Sequence, residues 1–327
     1  MSNVLSPSLI MEISLASPDM SNIVLLFSGQ GAQKVGMGKD FVENSATARA
    51  LAVQADKALG YSLTDLMFDG PDEELTRTAH CQPALYLHGL IALALLKERV
   101  PNLNPVAAAG LSLGEFTAHA AAGTFSFEEG LRLVSQRGKF MEEACAATQG
   151  SMAALIGGEE EKIRELAKTA DVDVANLNAP GQIVLSGNAE GIDSAIAQAK
   201  DFGIRRAIKL NVAGAYHSRL MQSAQDKLRA ELASANIATP SIPVVCNHGA
   251  SVVSAADEIR STLENQVTGS VRWTESIQAL IAMGHRTFVE LGPGKVVAGL
   301  VSKIDKDTTV HSVEDLPSLE AAIEALS

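Results

Sequence analysis

Pro105-Val106-Ala107-Ala108-Ala109-Gly110-Leu111-Ser112-Leu113-Gly114-Glu115 is the stretch from which the architecture is read. Residues 105–109 form a short apolar run of strand type, and residues 115–122 continue with helix formers. Between them lies G-x-S-x-G. Small residues on both sides of a serine let a chain turn sharply from strand to helix. The hydroxyl is then exposed at the carboxyl end of a sheet, with the unpaired N–H groups of the helix start aimed toward it. Such donors hold the negative oxygen of a tetrahedral acyl intermediate. The same string also occurs as a small-residue turn without chemistry in chains rich in Gly, Ala and Ser. The strand before it and the helix after it favour the catalytic reading.

The flanking sequence extends the α/β pattern. Ile23 to Phe27 is a buried-strand run ending in Ser28-Gly29-Gln30-Gly31, which reads either as a plain connection or as a backbone N–H cradle near the serine. Ala46 to Leu59 reads as a helix, and Gln82 to Lys97 as a long buried one. Ser126-Phe127-Glu128-Glu129 has the capping-box pattern and opens another helix. On that helix Arg137 has Leu133, Val134, Phe140 and Met141 as its neighbours three and four positions away. Position alone favours an arginine at the edge of the stripe, snorkelling to water. The alternative is a buried guanidinium that awaits a carboxylate.

Residues 150–212 have a rhythm of their own. Strands are expected at Met152–Ile156, Val172–Asn176, Ile183–Ser186 and Ala207–Val212, with helices at Glu159–Ala170 and Glu190–Phe202. This β-α-β-β-α-β order is that of a ferredoxin-like unit. Thr287 to Leu291 then resumes the larger pattern as a strand, and Gly292-Pro293-Gly294-Lys295 opens a helix. The expected division is a disordered extension over 1–20, a core of 21–148 and 213–327, and an insert of 149–212. The interface between two such units is a natural place for a cleft.

Composition narrows the function. A net charge of −12 argues against nucleic acid as a partner. The three cysteines are widely spaced and give no disulfide framework or C-x-x-C metal site, which fits a reducing cytoplasm. No stretch approaches 18 consecutive apolar residues, so no membrane-spanning helix is expected. The first twenty residues hold no Lys or Arg and do not read as a targeting segment.

The serine needs a general base, and seven histidines compete. His119 lies about two helical turns from Ser112. His80, His88 and His285 sit in or beside helical patterns, and His311 is near the acidic C-terminal segment. His248 follows Cys246-Asn247 in a loop and stays open as a candidate. His217 is best placed, because it follows Gly214-Ala215-Tyr216, where the chain leaves the insert and re-enters the core. No acidic residue adjoins it, so the group that orients its ring is expected to be a carbonyl or an amide.

Seven segments in order carry a resemblance: 27–33 (Phe-Ser-Gly-Gln-Gly-Ala-Gln), 110–115, 136–138 (Gln-Arg-Gly), 178–182 (Asn-Ala-Pro-Gly-Gln), 214–218 (Gly-Ala-Tyr-His-Ser), Gln266, and 290–295 (Glu-Leu-Gly-Pro-Gly-Lys). Together they resemble the malonyl-CoA:acyl carrier protein transacylases of fatty acid synthesis and the related acyltransferase domains of polyketide synthases. The resemblance implies an α/β-hydrolase-like core with an inserted ferredoxin-like subdomain. It implies Ser112 as nucleophile, His217 as base, and Gln30 and Leu113 as oxyanion donors. It further implies Arg137 as the malonyl carboxylate holder, with Met141 and Tyr216 also at the substrate, and Gln266 orienting the histidine through its carbonyl.

No metal or redox cofactor is implied. The partners are coenzyme A thioester and acyl carrier protein, and a monomer is expected. The carrier is acidic, so Arg205, Arg206, Lys209, Lys295, Lys303 and Lys306 are the expected docking cations. Three positions depart from the family pattern: Ser28 stands where Pro is usual, Leu111 where His is frequent, and Tyr216 where malonyl-selective members usually carry Phe. Three other readings stay open: a serine thioesterase, a non-catalytic carrier-docking subunit, and a free-standing acyltransferase for a polyketide synthase.

Overall fold

Ten strands divide into two sheets in the computed structural model, which describes residues 22–326. The extension expected over residues 1–20 lies outside them. The strands are β1 (Ile23–Phe27), β2 (Pro105–Gly110), β3 (Gly150–Ile156), β4 (Asp173–Ala179), β5 (Gln182–Asn188), β6 (Arg206–Lys209), β7 (Val244–Val245), β8 (Val252–Val253), β9 (Thr287–Leu291) and β10 (Thr309–Val313).

The larger sheet runs β10-β9-β1-β2-β7-β8. All its pairs are parallel except β7 with β8. Its centre, β1, is five apolar residues, each at most 1% exposed. Ile23, Leu25 and Phe27 enter one apolar core and Val24 and Leu26 another, because alternate side chains leave opposite faces. A parallel sheet buried on both faces requires such an uninterrupted apolar strand.

The helix Thr78–Arg99 packs in the first of those cores. Sequence reasoning began it at Gln82, next to Pro83; it starts four residues earlier, with Pro83 inside it. It is long and apolar enough to cross a bilayer, yet 89% of its most apolar window is covered by the protein itself. Its uniform hydrophobicity is that of a core helix.

The second sheet is antiparallel, in the order β4-β5-β3-β6. The helices Glu160–Thr169 and Ala189–Gln198 follow β3 and β5 and share an apolar core with the sheet through Ala153, Leu155, Ile163, Leu166, Ile192 and Ala195. Strand β6 is shorter than the expected Ala207–Val212. Leu210 N–H still donates to the Met152 carbonyl at 2.9 Å, after which the chain turns back toward the larger sheet. The two units are tied at β4, where Leu177 N–H donates to Val271 O (2.9 Å) and Val271 N–H to Ala175 O (2.8 Å).

Candidate active site

Ser112 stands between β2 and the helix Leu113–Ala121, with φ 55° and ψ −107°. This left-handed backbone is sparsely populated by residues with a side chain and persists only where its surroundings over-determine it. The flanking glycines are part of that determination. A Cβ on Gly110 would lie 2.0 Å from the Gly114 carbonyl carbon, and one on Gly114 would lie 2.3 Å from Phe27 O. Asn247, just after β7, supplies the rest. Its Oδ1 accepts from Ser112 N–H at 2.7 Å and its Nδ2 donates to Gly110 O at 2.8 Å.

Ser112 Oγ lies 2.8 Å from His217 Nε2, and His217 Nδ1 lies 2.8 Å from the main-chain carbonyl of Gln266. A carbonyl only accepts, so the ring proton sits on Nδ1. Nε2 therefore turns its lone pair to the serine hydroxyl, the tautomer a general base needs. His217 is buried. Burial, and then the Arg137 charge, bring its pKa down to about 4, so the imidazole is neutral near pH 7.

The other histidines lie elsewhere. His119 Nδ1 pairs with Thr124 Oγ1, His88 Nε2 with Glu314 O, and His80 Nδ1 with Glu74 O. His248, left open by the sequence, is exposed, and no hydrogen bond joins it to Ser112.

Arg137 does not snorkel. It is 1% exposed, so the reading that position alone favoured is corrected. Its Nη1 donates to Gln82 Oε1 (2.7 Å), and its Nη2 donates to Gln266 Oε1 (2.9 Å) and Ser112 Oγ (3.0 Å). The guanidinium also lies over the Phe116 ring, 5.5 Å from its centroid. Every acceptor is a neutral amide or hydroxyl, and Nε has no partner among the described residues. Burial pulls the pKa down to about 10, against the opposing charge of Glu115, so the group stays cationic at neutral pH. A buried cation without a carboxylate in contact is a ready partner for an anionic ligand.

These groups face a cavity of about 350 Å³ between the two units. Gln30, Ser112, Arg137, Met141, Tyr216 and His217 line it from the larger unit, and Met152, Asn176, Asn178, Gln182 and Val184 from the smaller. Leu113 opens its helix, so its N–H is among the first-turn donors with no partner inside the helix. The Tyr216 hydroxyl is 2.6 Å from Thr78 Oγ1, and Gln30 Nε2 approaches both at 3.4 Å. This trio ties the β1 turn to the cavity wall. Ser28, which stands where the resembled family usually has proline, is buried, and its Oγ reaches Glu290 Oε1 at 3.4 Å.

Sequence reasoning missed Gln82, Glu115 and Asn247 as members of this site. In the sequence Glu115 stands out only as the end of the serine motif, and Asn247 only as the neighbour of His248. A polar residue in an otherwise apolar helix was the one available signal for Gln82. Among the described residues no cluster of three or more His, Cys, Asp or Glu is placed to hold a metal ion.

A family model described as the acyl transferase domain matches residues 24–322. The malonyl CoA-acyl carrier protein transacylase of Bacillus subtilis (strain 168) is 42% identical over 312 residues, covering 94% of this chain and 98% of the relative. Its counterpart in Escherichia coli (strain K12) is 38% identical over 93% of this chain and 100% of the relative. Among solved structures, the acyl-carrier-protein-S-malonyltransferase of Bartonella henselae matches with a TM-score of 0.89 at 38% identity, over 93% of this chain and 99% of that one. A malonyl-transacylase in complex with its type II PKS acyl-carrier protein matches with a TM-score of 0.89 at 34% identity, over 93% and 99% of the two chains. The chain therefore belongs to the acyl transferase domain family, among the malonyl CoA-acyl carrier protein transacylases.

Proposed function

We propose that the protein moves a malonyl group from malonyl-CoA to the phosphopantetheine thiol of an acyl carrier protein, through a malonyl ester on Ser112. His217 Nε2 takes the serine proton as Oγ attacks the thioester carbonyl. The N–H groups of Gln30 and Leu113 receive the oxyanion. The tetrahedral intermediate collapses, the C–S bond breaks, and the proton on Nε2 goes to the leaving coenzyme A thiolate. In the second half, His217 takes the proton of the carrier thiol, whose sulfur attacks the malonyl ester. Ser112 leaves and regains its proton.

Arg137 holds the distal carboxylate, Met141 and Tyr216 wall the acyl pocket, and the Gln266 carbonyl keeps His217 in its base tautomer. No metal or redox group takes part. The observation that carries this reading is that one serine oxygen lies 2.8 Å from an imidazole nitrogen and 3.0 Å from a buried guanidinium. A thioesterase for uncharged acyl chains has no use for that cation.

The same reading takes the larger unit (21–148 and 213–327) as an α/β-hydrolase-like core and 149–212 as a ferredoxin-like insert. The strand order β4-β5-β3-β6 supports the latter. It also takes the protein as a cytoplasmic monomer serving fatty acid synthesis. A polyketide carrier is the second reading, favoured by the likeness to the transacylase solved with a type II PKS carrier.

The test is intact-mass measurement after mixing with malonyl-CoA, followed by addition of holo carrier proteins of both pathways. A malonyl adduct on Ser112 that discharges onto a carrier thiol is expected. An adduct that never forms, or that discharges only to water, would defeat the proposal.

A further inference from the structure

Glu115 is fully buried behind the nucleophile, on the helix that Ser112 begins. Its Oε2 accepts two hydrogen bonds, from Asn247 N–H at 2.8 Å and from Gln266 Nε2 at 2.7 Å. Its Oε1 has no partner among the described residues. Both donors belong to residues that shape the site. The Asn247 side chain closes on Ser112 N–H and Gly110 O. The Gln266 carbonyl receives His217 Nδ1, its Oε1 receives Arg137 Nη2, and its Nε2 also reaches Ser112 O at 2.9 Å. The position of one buried oxygen thus bears on the serine turn, the base and the guanidinium at once.

We propose that Glu115 is a positioning residue that sets Ser112, His217 and Arg137 relative to one another through the two hydrogen bonds accepted by its Oε2. It touches no reacting atom. Its part is the reach of a carboxyl oxygen from a helix that is itself fixed by the glycine turn. The inference rests on the acyl-transfer reading for its substrate, and on geometry alone for its mechanism.

Two conservative variants separate reach from charge. Glu115→Gln keeps an oxygen at the same distance and loses the charge, with the amide nitrogen falling where Oε1 has no partner. Glu115→Asp keeps the charge and withdraws the oxygen by one methylene, about 1.5 Å. That is enough to lose bonds of this length. A misplacement of about 1 Å can lower a rate by about 100-fold. Glu115→Asp is therefore expected to slow acylation of Ser112 at least about thirtyfold through kcat, with KM for malonyl-CoA moving less than about threefold. Glu115→Gln is expected to lose no more than about fivefold.

Both variants are assayed with malonyl-CoA and with a fluorophosphonate probe that labels any activated serine, alongside thermal unfolding to confirm a native fold. Glu115→Asp within about threefold of the unmutated rate, or a loss seen in KM alone, overturns the proposal. So does a Glu115→Gln loss as large as about thirtyfold, which remains decisive if Glu115→Asp does not fold. If malonyl-CoA fails to acylate the unmutated protein while the probe labels it, the substrate reading falls. The contrast between the variants is then read on the probe.

Discussion

Ser112 and His217 are 105 residues apart, and they share both a 2.8 Å hydrogen bond and a left-handed backbone, with φ of 55° and 56°. Each is braced by an amide residue from a third part of the chain. Asn247 holds the serine turn and Gln266 holds the ring. Positive φ at a residue with a side chain costs roughly 1–3 kcal/mol, so neither residue would adopt it without those braces. The pair is presented to the cavity by strain that the surrounding fold supports.

Replacing Ser112 by Ala removes the one oxygen that faces the base. The malonyl-enzyme adduct should vanish from the intact-mass spectrum while the unfolding midpoint stays near that of the unmutated protein. An adduct of malonyl mass on the variant would take Ser112 out of the mechanism.

Arg137→Ala should alter substrate choice more than chemistry. Loss of a buried guanidinium–carboxylate contact is expected to raise the barrier for malonyl transfer by roughly 3–5 kcal/mol, part of it from stranding the substrate carboxylate. Acetyl transfer, which has no carboxylate to strand, should fall far less. Parallel kcat/KM values for malonyl-CoA and acetyl-CoA give the answer, and equal losses would make Arg137 a purely structural residue.

The buried histidines predict an acid-sensitive fold. His217 and His88 titrate at about 4 and His119 at about 3, all below the ordinary 6.5, chiefly because burial penalises their charged forms. Between those values and 6.5 the unfolded chain binds more protons than the folded one. Their stability contribution is therefore complete above pH 6.5 and is lost as pH falls toward 4. Glu115 acts oppositely. Burial pushes its pKa up to about 7, so its contribution is complete below its ordinary 4.5 and lost as pH rises through 7. Burial also raises the pKa of Glu290 and lowers those of His248, His285 and His311, so six histidines stand against two carboxyls; denaturant midpoints should fall between pH 6.5 and 4.5, and a flat profile would contradict neutral burial. Ser112 acylation should meanwhile hold its rate through pH 6.5, because His217 remains unprotonated there.

Carrier docking is expected to use a local positive face. Arg205, Arg206, Lys295, Lys303 and Lys306 are exposed, and none forms an ion pair among the described residues, whereas Lys209 is paired with Asp193. Lys303 reaches across to Gln182, bringing both units to the same rim of the cavity. Reversing Arg205, Arg206 and Lys303 to Glu should raise KM for the carrier and leave acylation by malonyl-CoA intact. In the unmutated protein the carrier KM should rise with salt as screening grows. An unchanged carrier KM in the triple variant at low salt would move the docking face elsewhere.

What could be read from the sequence was what local chemistry determines. The apolar run of β1, the glycine-flanked turn at Ser112 and the β-α-β-β-α-β order of 150–212 each follow from a few adjacent residues. Strands β7 and β8, two residues each, are too short to show any periodicity. Position along the helix alone misplaced Arg137 at the edge of its stripe, and only the family resemblance pointed to a carboxylate-holding guanidinium. Its acceptors Gln82 and Gln266 lie 55 and 129 residues away and carry no charge that would mark them as partners. Asn247 and Glu115 are likewise 132 residues apart, and neither belongs to a pattern that pairs them. The family resemblance named the reacting groups and Gln266; Gln82, Asn247 and Glu115 behind them emerge only in three dimensions.

Ser112, His217 and Arg137 face a single cavity, so both half-reactions retrace the same ground. In the proposed mechanism the guanidinium holds the far end of the acyl group and is indifferent to which thiol occupies the near end. One thioester is exchanged for another, and neither is favoured by the protein. The equilibrium is set by the two thioesters themselves, both of a phosphopantetheine thiol, so it lies near unity, and malonyl carrier mixed with free coenzyme A should regenerate malonyl-CoA. Net flow toward the carrier must come from whatever reaction consumes the malonyl carrier next.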